Sequence, residues 1–132
     1  MEMLLPEGWP RPAGYSNGVA ARGRMIFVAG QVGWDTDGHF ADGLTAQVRL
    51  ALQNVIAVLR AGGAEPRHLV RLTWYVLDRQ AYRQARQEIG RAYRDVIGQN
   101  YPAMALVQVA GLLEDRALVE IEATAVVPDA GG

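Results

Sequence analysis

Two carboxylates, Glu120 and Glu122, stand two residues apart inside Val119-Glu-Ile-Glu-Ala123. In a strand that spacing puts both on one face, roughly 6–7 Å apart. Like charges on a partly buried face raise one pKa, which is how proteins obtain a carboxyl able to act as acid or base near neutral pH. Plain surface glutamates, or partners for arginines across a subunit contact, fit the same pattern. Gly14-Tyr15-Ser16-Asn17-Gly18 has the spacing of a serine-hydrolase elbow, which requires a strand before it and a helix after it. Here a proline-punctuated arm precedes and a strand follows, while His39 and His68 fall in predicted loops, so a turn is expected. Asp35-Thr36-Asp37-Gly38 opens like a calcium loop but lacks the later acidic ligands. Neither histidine has a second ligand at metal spacing, and no metal site is expected. Gly30-Gln31-Val32-Gly33 lacks the third glycine and the helix of a phosphate cradle. Arg79, Arg83, Arg86, Arg91 and Arg94 make one helix basic on its outer face, a pattern able to follow a phosphate backbone. The reading adopted is a solvated face balanced by Asp78, Glu88 and Asp95, because the whole chain is nearly neutral.

Composition narrows the chemistry further. The 132 residues carry 13 basic and 14 acidic groups for a net charge of −1. That length suits one domain, expected over 1–132, with residues 1–17 as an extended arm and 128–132 as a loose tail. All 13 basic residues are arginine, which removes lysine nucleophiles and Schiff bases. The chain has no cysteine, which removes disulfides and thiolate sites. No basic-then-apolar leader opens the sequence, and no apolar run approaches the ~18 residues of a membrane span. A cytoplasmic protein with no membrane association is expected, and nucleic acid is disfavoured by the charge and by the absence of an aromatic base-stacking motif.

The elements that must hold these residues follow from periodicity. Met25–Ala29 is a short apolar run that reads as a buried strand, with 19–22 as its hairpin partner. Residues 34–43 are rich in Asp and Gly and read as a loop, with Asp42 capping the helix that follows. Leu44, Val48, Ala51, Leu52, Val55, Ile56 and Leu59 lay one apolar stripe along that helix, and Gly62-Gly63 ends it. From Arg67 to Leu77 the residues alternate, with Val70, Leu72, Trp74 and Val76 on one side and Arg71, Thr73 and Tyr75 on the other. Asp78 caps a second helix whose stripe is Tyr82, Ala85, Ile89, Ala92, Tyr93 and Val96, ending at Gly98. Segments 103–109 and 118–127 are two further strands. The order β-β-α-β-α-β-β gives an α+β fold whose two helices cover one face of a sheet. The other face is too polar for a core and too aromatic for bare solvent, which suggests an oligomer that packs sheets together.

Several segments, in order and at matching spacing along almost the whole chain, resemble the RidA/YjgF family, also called the reactive-intermediate or L-PSP family. They are Gly14-Tyr-Ser-Asn-Gly-Val19, Phe27-Val-Ala-Gly-Gln31, Gln47 with Asn54, Ala61-Gly62, Val70-Arg-Leu-Thr-Trp-Tyr-Val-Leu-Asp78, Tyr101-Pro-Ala103 and Val119-Glu-Ile-Glu-Ala123. The resemblance implies a chorismate-mutase-like (ferredoxin-like) fold and a homotrimer with clefts between subunits. It also implies hydrolysis of reactive enamines and imines such as 2-aminoacrylate, with no metal or cofactor. In that chemistry an arginine after Pro-Ala holds the substrate carboxylate, a glutamate of the Glu-Ile-Glu strand positions water, and a tyrosine of the N-terminal motif helps close the cleft. By motif position Glu120 and Tyr15 carry over as catalytic and substrate-binding residues, while Met104 occupies the arginine's place.

Methionine makes no charge-assisted pair with a carboxylate, an interaction worth about 1.5–3 kcal/mol. Leu106 beyond it is also apolar. Met104 is therefore expected to line a pocket for an aromatic or acyl group, with Trp34 and Tyr101 as walls and the backbone near Gly30 and Gln31 binding the substrate oxygen. Arg116, before the last strand, is a second candidate for the missing charge. The expected function is an enamine/imine deaminase-like hydrolase, or close derivative, acting on a small reactive metabolite other than 2-aminoacrylate. A non-catalytic metabolite-binding trimer is the alternative, and a ribonuclease or translation inhibitor is the third reading.

Overall fold

The computed structural model describes residues 1–130; Gly131 and Gly132 of the expected tail lie outside the described residues. Four strands form one sheet in the order β3-β6-β4-β5: β3 is Arg24–Val32, β4 Leu69–Val76, β5 Ala103–Gln108 and β6 Val119–Val127. β6 is antiparallel to both neighbours, and β5 runs parallel to β4 at the sheet edge. The β1 strand Glu2–Leu4 and the β2 strand Gly18–Ala20 pair antiparallel as a separate ribbon. The expected hairpin between 19–22 and the first core strand is thus corrected, because the arm carries its own short strand and takes β2 as its partner.

Three helices lie over one face. Helix α1, Leu44–Ala61, buries Val48, Ala51, Leu52, Val55, Ile56 and Leu59, the expected stripe except for Leu44, which is only partly buried. Its N-cap is Gly43 with no side-chain cap, so Asp42 does not play that part. At the other end Gly63, with φ 79°, supplies the left-handed residue that an L side chain adopts only with strain. The second expected helix is broken into α2, Arg79–Gln84, and α3, Arg86–Val96, with Ala85 between them as the C-cap of one and N-cap of the other. Asp78 does cap α2, accepting from the backbone N–H groups of Gln80 and Ala81 at 2.9 and 3.2 Å.

Leu72, Trp74 and Val76 of β4 and Val119, Ile121, Ala123 and Ala125 of β6 turn toward the helices and join one core with α1 and α3. Two polar side chains of α1 tie it to the sheet side. Buried Gln47 donates to the carbonyls of Ala41 and Arg116 and accepts from the Leu118 N–H. Asn54 donates to the carbonyls of Val32 and Trp34. Gly33 makes this approach possible, since a Cβ there would stand 2.5 Å from the Gln47 backbone.

Candidate functional site

The register decides which candidate residues share a space. Tyr75 of β4 faces Glu120 of β6, and Thr73 faces Glu122, so both glutamates lie on the face away from the helices. The Tyr75 hydroxyl donates to Glu122 Oε1 at 2.6 Å. That bond, with burial and the negative charges of Glu122 and Glu120, pushes the Tyr75 phenol above its ordinary range. Glu120 instead lies against Gly30, where a Cβ would stand 2.7 Å from the glutamate's carboxyl carbon and Oε2. The register of β3 against β6 shifts between Val28 and Gln31, so Gly30 sits within a bulge. Bulges are common beside functional sites because they re-aim a strand. Gln31 follows, its amide donating to the Ala29 carbonyl at 3.1 Å.

Met104 is elsewhere. It pairs in register with Leu72 and Leu106 pairs with Trp74, so both turn to the helix-covered face. There they line a cavity of about 1220 Å³ between β5 and the α2/α3 pair, together with Trp74, Tyr82, Tyr93 and Tyr101. The aromatic rings form a run. Trp74 meets Tyr82 edge-on at 6.4 Å and Tyr93 at 6.3 Å, and Tyr93 stacks on Tyr101 at 5.3 Å between centroids. Burial pushes the phenols of both Tyr82 and Tyr93 upward, so the wall stays uncharged.

The Gly14–Gly18 segment borders the same cavity. The Ser16 hydroxyl donates to the Tyr101 carbonyl at 2.6 Å, and the Ser16 N–H donates to the Pro102 carbonyl. The serine is thus a staple between the N-terminal segment and β5, and Tyr15 lines the cavity beside it. The histidines serve turns: His68 Nδ1 accepts from the Glu65 N–H at 3.0 Å, and His39 sits in the 34–43 loop. In that loop the Asp35 carboxylate accepts from the backbone of Asp37 and His39, which holds its pKa below the usual carboxylate value.

The sequence candidates therefore fall into three places. Tyr15, Tyr101 and Met104 meet at the cavity. Gly30 and Glu120 meet on the opposite face of the sheet, while Gln31, just past the bulge, pairs in register with Ile121 and does not join them. Trp34 packs on Phe40 in the 34–43 loop and does not reach the cavity. Arg116 does not reach it either; its carbonyl is held by Gln47.

Sequence reasoning missed Trp74, Tyr82 and Tyr93 as cavity walls, having placed them in apolar stripes, and missed the arginines at the rim. Arg79, Arg83, Arg86 and Arg94 all line the cavity. The expected balance by Asp78, Glu88 and Asp95 is corrected: Asp78 caps α2, Glu88 accepts from Thr45, and Asp95 pairs with Arg49 at 3.0 Å.

The family model "Endoribonuclease L-PSP" matches residues 10–127. A RutC family protein of Pyrococcus horikoshii is 32% identical over 127 residues, spanning 94% of this chain and 96% of the relative. The 2-iminobutanoate/2-iminopropanoate deaminase of Homo sapiens is 31% identical over 105 residues, spanning 78% of this chain and 73% of that protein. Among solved structures, the Rid family protein YyfB of Yersinia pestis superposes with a TM-score of 0.83 at 32% identity, covering 96% of this chain and 98% of that one.

Proposed function

Since the chain belongs to the RidA/YjgF (L-PSP) family, we propose that it is a cytoplasmic homotrimeric hydrolase of reactive imines or enamines, diverged from 2-aminoacrylate. The observation that carries this reading is the separation of Met104 and Glu120 by the sheet, with an apolar, aromatic wall on one side and a carboxylate on the other. A cleft between two copies brings the β5 side of one chain to the Glu120 face of the next. Phe27, 70% exposed and in register with Thr124, marks the Glu120 face as a surface that wants cover. In that cleft Glu120 orients a water and takes its proton as the oxygen attacks the C=N carbon. That proton passes to nitrogen to give a carbinolamine, whose hydroxyl proton then moves to the amine as the C–N bond breaks, releasing a carbonyl compound and ammonia. Among the described residues no hydrogen bond ends on the Glu120 carboxylate, so its oxygens are free for water, whereas Glu122 is engaged by Tyr75. Met104 itself supplies no guanidinium at the position where the resemblance places the carboxylate anchor.

The test is ammonia release from 2-imino acids generated in situ by an amino-acid oxidase, and from 2-aminoacrylate. Wild type is expected to leave 2-aminoacrylate unaccelerated and to act on bulkier imines; Met104→Arg gains 2-aminoacrylate turnover, and Glu120→Gln loses all turnover while staying folded. Robust wild-type turnover of 2-aminoacrylate ends the divergence argument, and full activity of Glu120→Gln ends the hydrolytic role. The loss of the guanidinium also favours a second reading, a trimer that binds a metabolite without converting it. Saturable binding with no ammonia release from any imine would establish that one.

A further inference from the structure

The cavity that Met104 lines also carries positive charge. Four arginines, Arg79, Arg83, Arg86 and Arg94, line it, and no aspartate or glutamate does. Among the described residues none of the four is in an ion pair. Unpaired guanidiniums gathered at a concave, partly apolar site raise the local potential for an anion, and their paired donors match two carboxylate oxygens. The same cavity is lined by Met104, Tyr101, Tyr93 and Trp74, surfaces that prefer a planar ring. Trp74 adds one more feature. It is 3% exposed, and its indole N–H is enclosed with no acceptor among the described residues, a state that ordinarily costs free energy until an acceptor is supplied.

Building on the imine-hydrolase reading, we infer that the substrate is an aromatic 2-imino acid, its ring lying over Met104 and Tyr101 and its carboxylate held by the α2/α3 arginines. The anchor has moved from the strand to the helices, and the ring occupies the space that a strand arginine would fill. This accounts for both departures together, an apolar Met104 and an arginine set without carboxylate partners. The aliphatic 2-imino acids named for the human relative have no ring to cover such a wall.

Binding is measured by calorimetry on the intact wild-type protein with phenylpyruvate, the stable oxo counterpart of such an imine. Pyruvate, phenylacetone and AMP serve as comparisons lacking the ring, lacking the carboxylate, or carrying a phosphate instead. Phenylpyruvate should saturate at one site per chain and bind at least about tenfold tighter than pyruvate or phenylacetone. The triple variant Arg79→Gln, Arg83→Gln, Arg86→Gln should lose about tenfold or more for phenylpyruvate with unchanged circular dichroism, since all three side chains are exposed. Equal binding of phenylpyruvate by that variant, equal binding of pyruvate by wild type, or tighter binding of AMP overturns the inference. Because the readout is binding, it separates from the parent reading: phenylpyruvate bound but no imine hydrolysed removes the hydrolase and leaves the ligand class. Imine hydrolysis without phenylpyruvate binding does the reverse.

Discussion

The helical layer over the sheet has two halves of opposite construction. Helix α1 runs unbroken for 18 residues, with an apolar stripe packed against β3 and β6 and with Gln47 and Asn54 satisfying loop backbone. The α2/α3 half is interrupted at Ala85, leaves a cavity of about 1220 Å³, and encloses an indole N–H that has no partner among the described residues. The inner face of α1 is closely packed and its buried amides are bonded; the α2/α3 half is more open and holds an unbonded indole. Well-packed interiors tolerate few voids and few orphaned polar groups, and the second half departs from that rule at the cavity that the proposed ligand would occupy.

The largest expected contrast is in large-to-small substitutions. Leu52→Ala, with Leu52 fully buried on the inner face of α1, should cost about 2–5 kcal/mol in a urea unfolding series, because it opens a cavity in a closed core. Met104→Ala, at the edge of a space already open, should cost about 1 kcal/mol or less. Equal losses would mean that the cavity half is as tightly packed as the other.

Polar substitutions sharpen the same contrast at smaller amplitude. Gln47→Leu strands the Leu118 N–H and two carbonyls and should cost about 1–3 kcal/mol. Trp74→Phe removes the orphan N–H along with some volume, so its measured cost should fall below that of other buried aromatic truncations, at about 1 kcal/mol. The smallest effect belongs to the open face. The Tyr75 phenol is raised by its bond to Glu122, so its contribution to stability is present below the ordinary tyrosine pKa near 10 and is lost as pH rises through the raised folded value. Urea midpoints of wild type and Tyr75→Phe should differ by a constant amount up to about pH 10 and converge above it; a difference that stays flat to higher pH breaks the link to Glu122.

Where burial alone sets the pattern, the sequence was readable. The α1 stripe and the alternation of β4 and β6 follow from period and show in the structure residue for residue, apart from the partly buried Leu44 and the irregularity near Val70. What escaped depends on long-range partners. The ribbon of β1 with β2 joins residues separated by the proline-punctuated arm, and no local signal in Glu2–Leu4 announces a strand. The break at Ala85 leaves the apolar spacing of 82–96 intact, so periodicity passes over it. The face on which Met104 lies is fixed by the pairing of β5 with β4, which a short, evenly apolar strand does not encode. The rim arginines are exposed, as a solvated helix face requires, and four of them also border the cavity, a position decided by the neighbouring strand.

The parallel pairing of β4 with β5 has a consequence in time. Parallel neighbours need a crossover, here the α2/α3 segment, and the aromatic cavity is the space beneath that crossover. Its walls come from residues 13–15, from 74–94 and from 101–108, so none of it exists until the edge strand has docked and the N-terminal segment has been stapled to it through Ser16. Closing such loops is a late event in folding, since the entropic cost falls before the contacts that offset it. A ligand seated there recognises only finished chains, and by mass action it would hold the last-formed part of the molecule in place.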